Sequence, residues 1–252
     1  MMIEAVAAPG MANVATLALL ATSMLTSFIT AAFGIGGGVL LLAVVAVVLP
    51  PAVLIPVHGA VQIGSNAGRL LLMLKDVERT SVLPFLMGSL LGAGLGGVLF
   101  LRLPPWLVQF AIAGFITWAV FGGTPTLGRR HLLAAGAISS FLTMLFGATG
   151  PFVSAVVASM RLTPVRHVAT QAALMTLQHS LKILVFALLG FAFAPYLPLI
   201  IAMVASGFVG TVLGRHLLVR MGHRYFKPIL NGLLLLLAAR LVWQGAGALL
   251  KG

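Results

Sequence analysis

Polar side chains recur at helical spacing inside two otherwise apolar stretches of the chain. The sets are His58, Gln62, Ser65, Asn66 and Arg69 in one stretch, and Gln171, Met175, Gln178, His179 and Lys182 in the other. Residues three or four apart share one face of a helix. Because unpaired polar groups are costly in apolar surroundings, we predict that both faces line a substrate-binding cavity, with interhelical hydrogen bonding as the alternative. The predicted binding residues on these faces are His58, Gln62, Asn66, Gln171, Gln178 and His179.

Two glycine-rich breaks each precede a short apolar segment, and the segments begin at about Gly38 and Pro151. Glycine lets backbone N–H groups approach a ligand, and a helix that begins after the break offers the positive end of its dipole. The breaks therefore predict an anion site, and tight helix packing is the alternative. The predicted binding residues here are Gly34, Gly36, Gly37, Gly38, Gly147, Thr149 and Gly150. For the glycines of the later segments (Gly88, Gly92, Gly94, Gly96, Gly97, Gly207, Gly210 and Gly214) we predict packing.

Arg69 and Lys182 are basic residues inside the two polar stretches. If they point inward, they would attract an anion toward the predicted cavity. Each lies about five residues from a predicted helix end, so its long side chain could instead reach the membrane interface. The sequence leaves both interpretations open.

The chain contains none of the spacings that typify catalytic or metal sites. It has no cysteine and three acidic residues, Glu4, Asp76 and Glu78, which do not pair within an apolar run. It also lacks a His-x-x-x-His metal pair, a phosphate-binding loop and a nucleophile elbow. We therefore predict no enzymatic activity, no cofactor and no bound metal.

The composition indicates an integral membrane protein. Of 252 residues, 61% are hydrophobic and 7% are charged, whereas a soluble domain carries about a quarter charged residues. The formal net charge is +12, but the basic residues fall between apolar runs, which is typical of loops that set membrane topology. We expect a lipid bilayer, and not nucleic acid, to be the partner of this surface.

Apolar runs broken by Gly, Pro and charge predict an all-α fold of ten helical segments. The second and seventh segments are too short to cross a bilayer core of about 30 Å at 1.5 Å per residue. The predicted segments are about 12–33, 38–49, 53–74, 80–101, 106–121, 131–147, 151–160, 164–188, 195–217 and 226–249.

The chain repeats itself after a shift of 113 residues, the distance from Ser27 to Ser140. The same shift carries Ser27, Phe28, Thr30, Phe33, Gly34 and Gly37 onto Ser140, Phe141, Thr143, Phe146, Gly147 and Gly150, and Arg69 onto Lys182. We predict one transmembrane domain over 1–252, with repeat one at about 12–121, a linker at 122–131 and repeat two at about 132–249. Transporters are commonly built from two such halves.

Loop charges predict that the two repeats have inverted topology. Lys75 and Arg79 follow the third segment, whereas Arg161 and Arg166 precede the eighth segment, its counterpart. Because basic loops stay on the cytoplasmic side, equivalent loops lie on opposite sides of the membrane. Both chain termini then lie outside.

Several motifs together resemble the TauE/SafE family of membrane transporters. They are Ser27–Val39 (SFITAAFGIGGGV), the Pro50–Pro51 break, and Phe146–Pro151 (FGATGP) in register in the second half. The resemblance covers nearly the whole chain. It implies transport of sulfur-containing anions, such as sulfite and sulfonates, or of related organic acids across the bacterial inner membrane.

We therefore expect a secondary transporter that moves a small anion by alternating access around a site at the middle of the membrane. A passive anion channel is the alternative, because the sequence does not measure coupling. A homodimer is compatible with the sequence, which does not show one.

Overall fold

The structure is a computed structural model that describes residues 5–33, 36–122, 129–217 and 226–250. Every regular element in these ranges is helical, and each of the ten predicted segments contains one α-helix. The helices are α1 (Asn13–Phe33), α2 (Gly37–Val48), α3 (Pro51–Leu72), α4 (Val82–Phe100), α5 (Pro105–Phe121), α6 (Leu132–Phe146), α7 (Gly150–Ala158), α8 (Pro164–Leu188), α9 (Leu197–Leu217) and α10 (Phe226–Leu249).

Proline and glycine set many of the helix ends. Pro51, Pro105 and Pro164 each begin a helix, where the missing N–H is not needed and the fixed φ suits the first turn. At the breaks the backbone takes positive φ instead, at Gly36 before α2 (φ 100) and at Gly147 after α6 (φ 92). These two glycines allow the chain to reverse between a long helix and a short one.

Among the described residues, four helical stretches are long and apolar enough to cross a membrane: Asn13–Ala32, Arg79–Phe100, Val165–Leu188 and Ala194–Gly214. By contrast, α2 has 12 residues and α7 has 9, so they extend over roughly 18 Å and 14 Å at the standard helical rise. Large apolar side chains such as Leu91 and Leu95 are exposed on α4. The chain is thus a multi-pass membrane protein with lipid-facing helices and two short buried helices.

The packing of the helices follows the sequence repeat. Helix α4 packs on α6, and α1 packs on α9. Because the repeat equates α1 with α6 and α4 with α9, these are the same pairing made twice. At the centre α3 packs on α8, and α5 packs on α10. The two helices with polar faces therefore contact each other across the interface of the two halves.

Rows of glycine on α4 and α9, called glycine stripes below, let α4 approach α6 and α9 approach α1 closely. A Cβ added at Gly92 would overlap the backbone carbonyl of Ala137, and one at Gly210 would overlap that of Met24. These contacts confirm the packing role that was predicted for Gly92 and Gly210. Gly94 differs, because a Cβ there would meet no atom within 4 Å, so the packing role predicted for Gly94 is wrong.

Contacts between the halves show how α3 and α8 are oriented. Arg166 near the start of α8 forms an ion pair of 2.5 Å with Glu78, which follows α3. The Glu78 backbone N–H also donates to Thr170 Oγ1 at 2.9 Å. The end of α3 and the beginning of α8 therefore lie together, and equivalent helices run in opposite directions. We call this end of the molecule, with Lys75, Arg79, Arg161 and Arg166, the basic end.

Candidate functional site

A cavity of about 30 Å³ lies between the two glycine-rich breaks. It sits in the half of the α3–α8 interface nearer the basic end, because Asn66 and Arg69 belong to the last turns of α3 and Gln171 to an early turn of α8. The lining residues are Thr30, Gly36, Gly38, Val39, Gln62, Asn66, Arg69, Ala148, Gly150, Pro151, Gln171 and Met175.

Both short helices begin at this cavity. Gly38 in the first turn of α2 and Gly150 at the start of α7 line it from the two repeats. The first N–H groups of a helix have no partner within the helix, and they carry partial positive charge. Two such helix N-termini on one small cavity make it suited to a negatively charged ligand.

Arg69 is the only charged residue among the described residues that line the cavity. Its side chain is 7% exposed, and its Nη2 donates to Asn66 Oδ1 at 2.7 Å while Nε donates to the Ser65 carbonyl at 3.3 Å. Asn66 in turn donates from Nδ2 to the Gln62 carbonyl at 2.7 Å. The guanidinium is therefore held within the protein and does not extend to the membrane interface.

Amide side chains and the Thr30 hydroxyl supply the remaining polar side-chain groups of the described lining. A Cβ on Gly38 would overlap Gln62 Nε2, so this amide lies directly against the first break. Gln171 Nε2 donates to the Gly150 carbonyl at 3.4 Å in the second break. The part of the lining that the structure describes contains no carboxylate, and the arrangement can bind an anion through charge and donated hydrogen bonds.

Three of the predicted site residues lie behind the cavity and hold the breaks in place. The Gly38 carbonyl accepts a hydrogen bond from His58 Nε2 at 3.0 Å, and the Gly147 carbonyl accepts one from Lys182 Nζ at 2.7 Å. Gln178 Nε2 donates to Thr149 Oγ1 at 2.7 Å and to the Ser139 carbonyl at 2.9 Å. Each of these three side chains therefore holds a backbone carbonyl or a hydroxyl group at or beside a break.

His179 is fully buried, and neither of its ring nitrogens has a hydrogen-bond partner among the described residues. Its ring centroid lies 6.2 Å from that of His58, in an edge-to-face arrangement. Lys182, one turn further along α8, is also fully buried, so its ammonium does not reach the membrane interface. His58, His179 and Lys182 thus form a buried polar cluster on the side of the cavity away from the basic end.

The predicted site residues accordingly divide into two sets. Those that line the cavity are Gly36, Gly38, Gln62, Asn66, Arg69, Gly150 and Gln171, and those that lie outside its lining are Gly37, His58, Gly147, Thr149, Gln178, His179 and Lys182. Gly37 packs against the Thr26 carbonyl and Thr30 Oγ1, where a Cβ would overlap both. Gly34 lies outside the described residues. Anion binding by any of these residues stays a prediction.

Five residues of the cavity lining were not among the binding residues predicted from the sequence. Thr30, Val39, Ala148, Pro151 and Met175 also line the cavity. The sequence did hold a signal for Thr30, because the repeat pairs it with Thr143 next to the second break. Val39 and Ala148 are apolar residues in an apolar sequence, and nothing in their type or spacing marks them.

Comparison with known protein families shows the family to which the chain belongs. The family model described as Sulfite exporter TauE/SafE matches residues 19–241 of the chain. The protein belongs to the TauE/SafE family. This is a family of membrane transporters, and the match spans all the cavity residues. Neither a curated protein nor a solved structure gave a significant match.

Proposed function

We propose that this TauE/SafE protein carries a small sulfur oxyanion, with sulfite as the first candidate, across the bacterial inner membrane. The anion binds in the cavity between the two breaks, and the two halves rock around it so that access alternates between the two sides. The positive-inside rule places the basic end in the cytoplasm and both termini outside.

The lining of the cavity carries this proposal. Two helix N-termini and the Arg69 guanidinium all favour negative charge, and no carboxylate among the described lining residues opposes it. A hydrogen bond to a charged group contributes about 1.5–3 kcal/mol, and a helix N-terminus adds about 0.3–1 kcal/mol or more when partly buried. These terms all favour a bound anion, and they offset part of the cost, on the order of several kcal/mol, of taking a charge out of water.

The size of the cavity favours a compact anion. A volume of about 30 Å³ leaves room for a group of a few atoms and none for a long organic chain. Sulfite presents three oxygen atoms that could accept hydrogen bonds from Arg69, Gln62 and Gln171. A sulfonate with a bulky organic group would need the cavity to widen.

The described residues that line the cavity come from both repeats of the chain. The proposed carrier therefore builds its site from the two halves of one chain, and a homodimer is not part of the proposal. Its substrate is the small anion, its environment is the bilayer, and it carries out no catalysis, uses no cofactor or metal, and binds no nucleic acid.

Counterflow in proteoliposomes tests the proposal. Vesicles loaded with unlabelled sulfite and placed in a trace of ³⁵S-sulfite should accumulate label faster than empty vesicles, and the rate should saturate with concentration. Sulfate, acetate and a small sulfonate serve as competing anions, and protein-free vesicles give the leak. Conductance that rises without saturation and shows no acceleration by internal anion would instead make the protein a channel.

A further inference from the structure

The sequence repeat relates the cavity to the buried polar cluster on its far side. Advancing by 113 residues, the distance from Ser27 to Ser140, takes Arg69 to Lys182 and Asn66 to His179. Moving back by the same distance takes Gln171 to His58. Each polar or charged residue of the lining on α3 and α8 thus has a counterpart in the cluster, apart from Gln62, whose counterpart Met175 lines the same cavity.

The cluster is closed in this structure. His58, His179 and Lys182 have 0% exposure. The ammonium of Lys182 is bound to the Gly147 carbonyl, and a Cβ on Gly59 would lie 2.6 Å from Lys182 Cδ. Helices α3 and α8 therefore meet tightly on this side of the cavity, whereas they leave space on the side nearer the basic end.

The closed cluster contains buried polar atoms without partners. Both nitrogens of His179 and Nδ1 of His58 are buried and make no hydrogen bond. A buried polar group that lacks a partner costs about 1–3 kcal/mol. Such a cost is understandable if these groups are paired in a second arrangement of the same helices, in which water or a ligand reaches them.

We propose that His58, His179 and Lys182 form a second anion-binding cavity, the mirror cavity, in the state that faces away from the basic end. This inference rests on the proposed function, because it extends the same alternating-access cycle. In that state Lys182 leaves the Gly147 carbonyl and takes the part that Arg69 plays here, while His179 takes the part of Asn66.

The two cavities share a centre. Gln62 and Met175 exchange places under the repeat, as do Gly38 and Pro151, and all four line the present cavity. An anion at this centre would be bound by Arg69 from one side or by Lys182 from the other. Rocking of the halves then moves the closed contact from one side to the other without moving the anion far.

Cysteine accessibility provides the test, since the natural chain has no cysteine. Thr30 and Thr143 are repeat counterparts of the same type, and Thr30 lines the cavity whereas Thr143 is fully buried. Thr30→Cys and Thr143→Cys would each be placed in membrane vesicles of known orientation and treated with a membrane-impermeant, anionic methanethiosulfonate. Asn66→Cys and His179→Cys form a second matched pair.

We expect Thr30→Cys and Asn66→Cys to react only from the basic end, and Thr143→Cys and His179→Cys to react only from the other side. Sulfite should slow all four reactions. The mirror cavity is refuted if Thr143→Cys and His179→Cys fold but react from neither side, or react from the same side as their partners. Thermal unfolding of each variant establishes folding. Two-sided labelling that sulfite leaves unchanged would support the mirror cavity while refuting the proposed substrate.

Discussion

Within the described part of the chain, Arg69 supplies the only full charge in the lining of the cavity. Arg69→Gln keeps a hydrogen-bond donor but removes that charge, so it should lose about 1.5–3 kcal/mol of interaction with a bound anion. At about 1.4 kcal/mol per tenfold change, the KM for sulfite counterflow should rise roughly 10- to 100-fold.

Arg102→Gln is the matched control for Arg69→Gln, because Arg102 is exposed after α4 and does not line the cavity. Its KM should equal that of the parent protein. If both variants raise KM equally, Arg69 acts only through the overall charge of the protein. That result would contradict the claim that Arg69 binds the anion in the cavity.

Gly37 and Gly150 occupy equivalent positions in the two breaks but have different surroundings. A Cβ at Gly37 would overlap the Thr26 carbonyl, whereas one at Gly150 would lie 4.0 Å from its nearest neighbour, Met175 Cε. Gly37→Ala should therefore destabilise the fold by about 1–3 kcal/mol, the usual cost of overpacking. Gly150→Ala should keep the stability of the parent protein and reduce transport by narrowing the cavity.

Thermal unfolding in detergent and counterflow measure the two glycine variants side by side. A Gly37→Ala protein with parental melting temperature would contradict the packing role of Gly37. Parental transport in Gly150→Ala would show that the start of α7 does not approach the anion.

Sequence reasoning identified the polar faces but not the depth of each side chain. His58, Gln62 and Asn66 share a face, yet Gln62 and Asn66 line the cavity while His58 binds the Gly38 carbonyl. Helical spacing fixes the direction in which a side chain points, and it does not say where the facing helix closes. That depends on how α3 crosses α8, which local sequence does not encode.

At the scale of elements, the glycine stripe on α4 sets its distance from α6. Gly92 lies against the Ala137 carbonyl, whereas Gly94 is exposed, with no atom within 4 Å of an added Cβ. Gly92→Ala should lower the free energy of unfolding by about 1–3 kcal/mol because the helices must separate. Gly94→Ala should leave it unchanged or raise it by about 0.5–1 kcal/mol, since alanine favours a helix more than glycine does.

The paired alanine variants of α4 would be compared by thermal or denaturant unfolding in the same detergent. Equal effects of the two substitutions would mean that glycine acts through helix propensity alone. Close packing of α4 on α6 would then not depend on the stripe.

The positions of the helices were largely predictable from sequence. Proline at the start of α3, α5 and α8 and glycine at the breaks are local signals, and local signals fix helix ends. The different roles of the glycines on α4 could not be predicted in the same way. In a sequence so rich in Leu, Ala and Gly, the lipid-facing and helix-facing sides differ too little in composition to separate Gly92 from Gly94.

At the scale of the whole molecule, the inverted arrangement predicts which loops share a side of the membrane. Asp76 lies at the basic end, and Pro195 lies between α8 and α9 at the other end. Cysteines at Asp76 and Pro195 should therefore be labelled from opposite sides of the membrane by an impermeant reagent. The cysteine at Asp76 should react from the cytoplasmic side, and a cysteine at Pro50 should react from the same side as the one at Pro195. Labelling of Asp76 and Pro195 from one side would contradict the arrangement. Loop charge also predicts labelling from the cytoplasm for cysteines at Gly128 and Gly222 and from outside for one at Glu4, three positions that lie outside the described residues.

Loop charge and the sequence repeat anticipated this arrangement because both are properties of the chain alone. The Arg166–Glu78 ion pair supports it independently, since it joins the end of α3 to the beginning of α8. Loop charge does not reveal which side of the α3–α8 interface is open. In the proposed transport cycle, the open side differs between two states that are formed by the same residues.

Binding of the anion between the two breaks is the central claim, and anomalous scattering from selenite tests it most directly. Selenite has the pyramidal shape and charge of sulfite, and a chain without cysteine offers no thiol to react with it. Data from crystals grown with selenite and collected at the selenium edge should show one strong peak beside Arg69 and Gln171, between the starts of α2 and α7. A well-ordered cavity without a peak, with selenium bound elsewhere, would contradict the account.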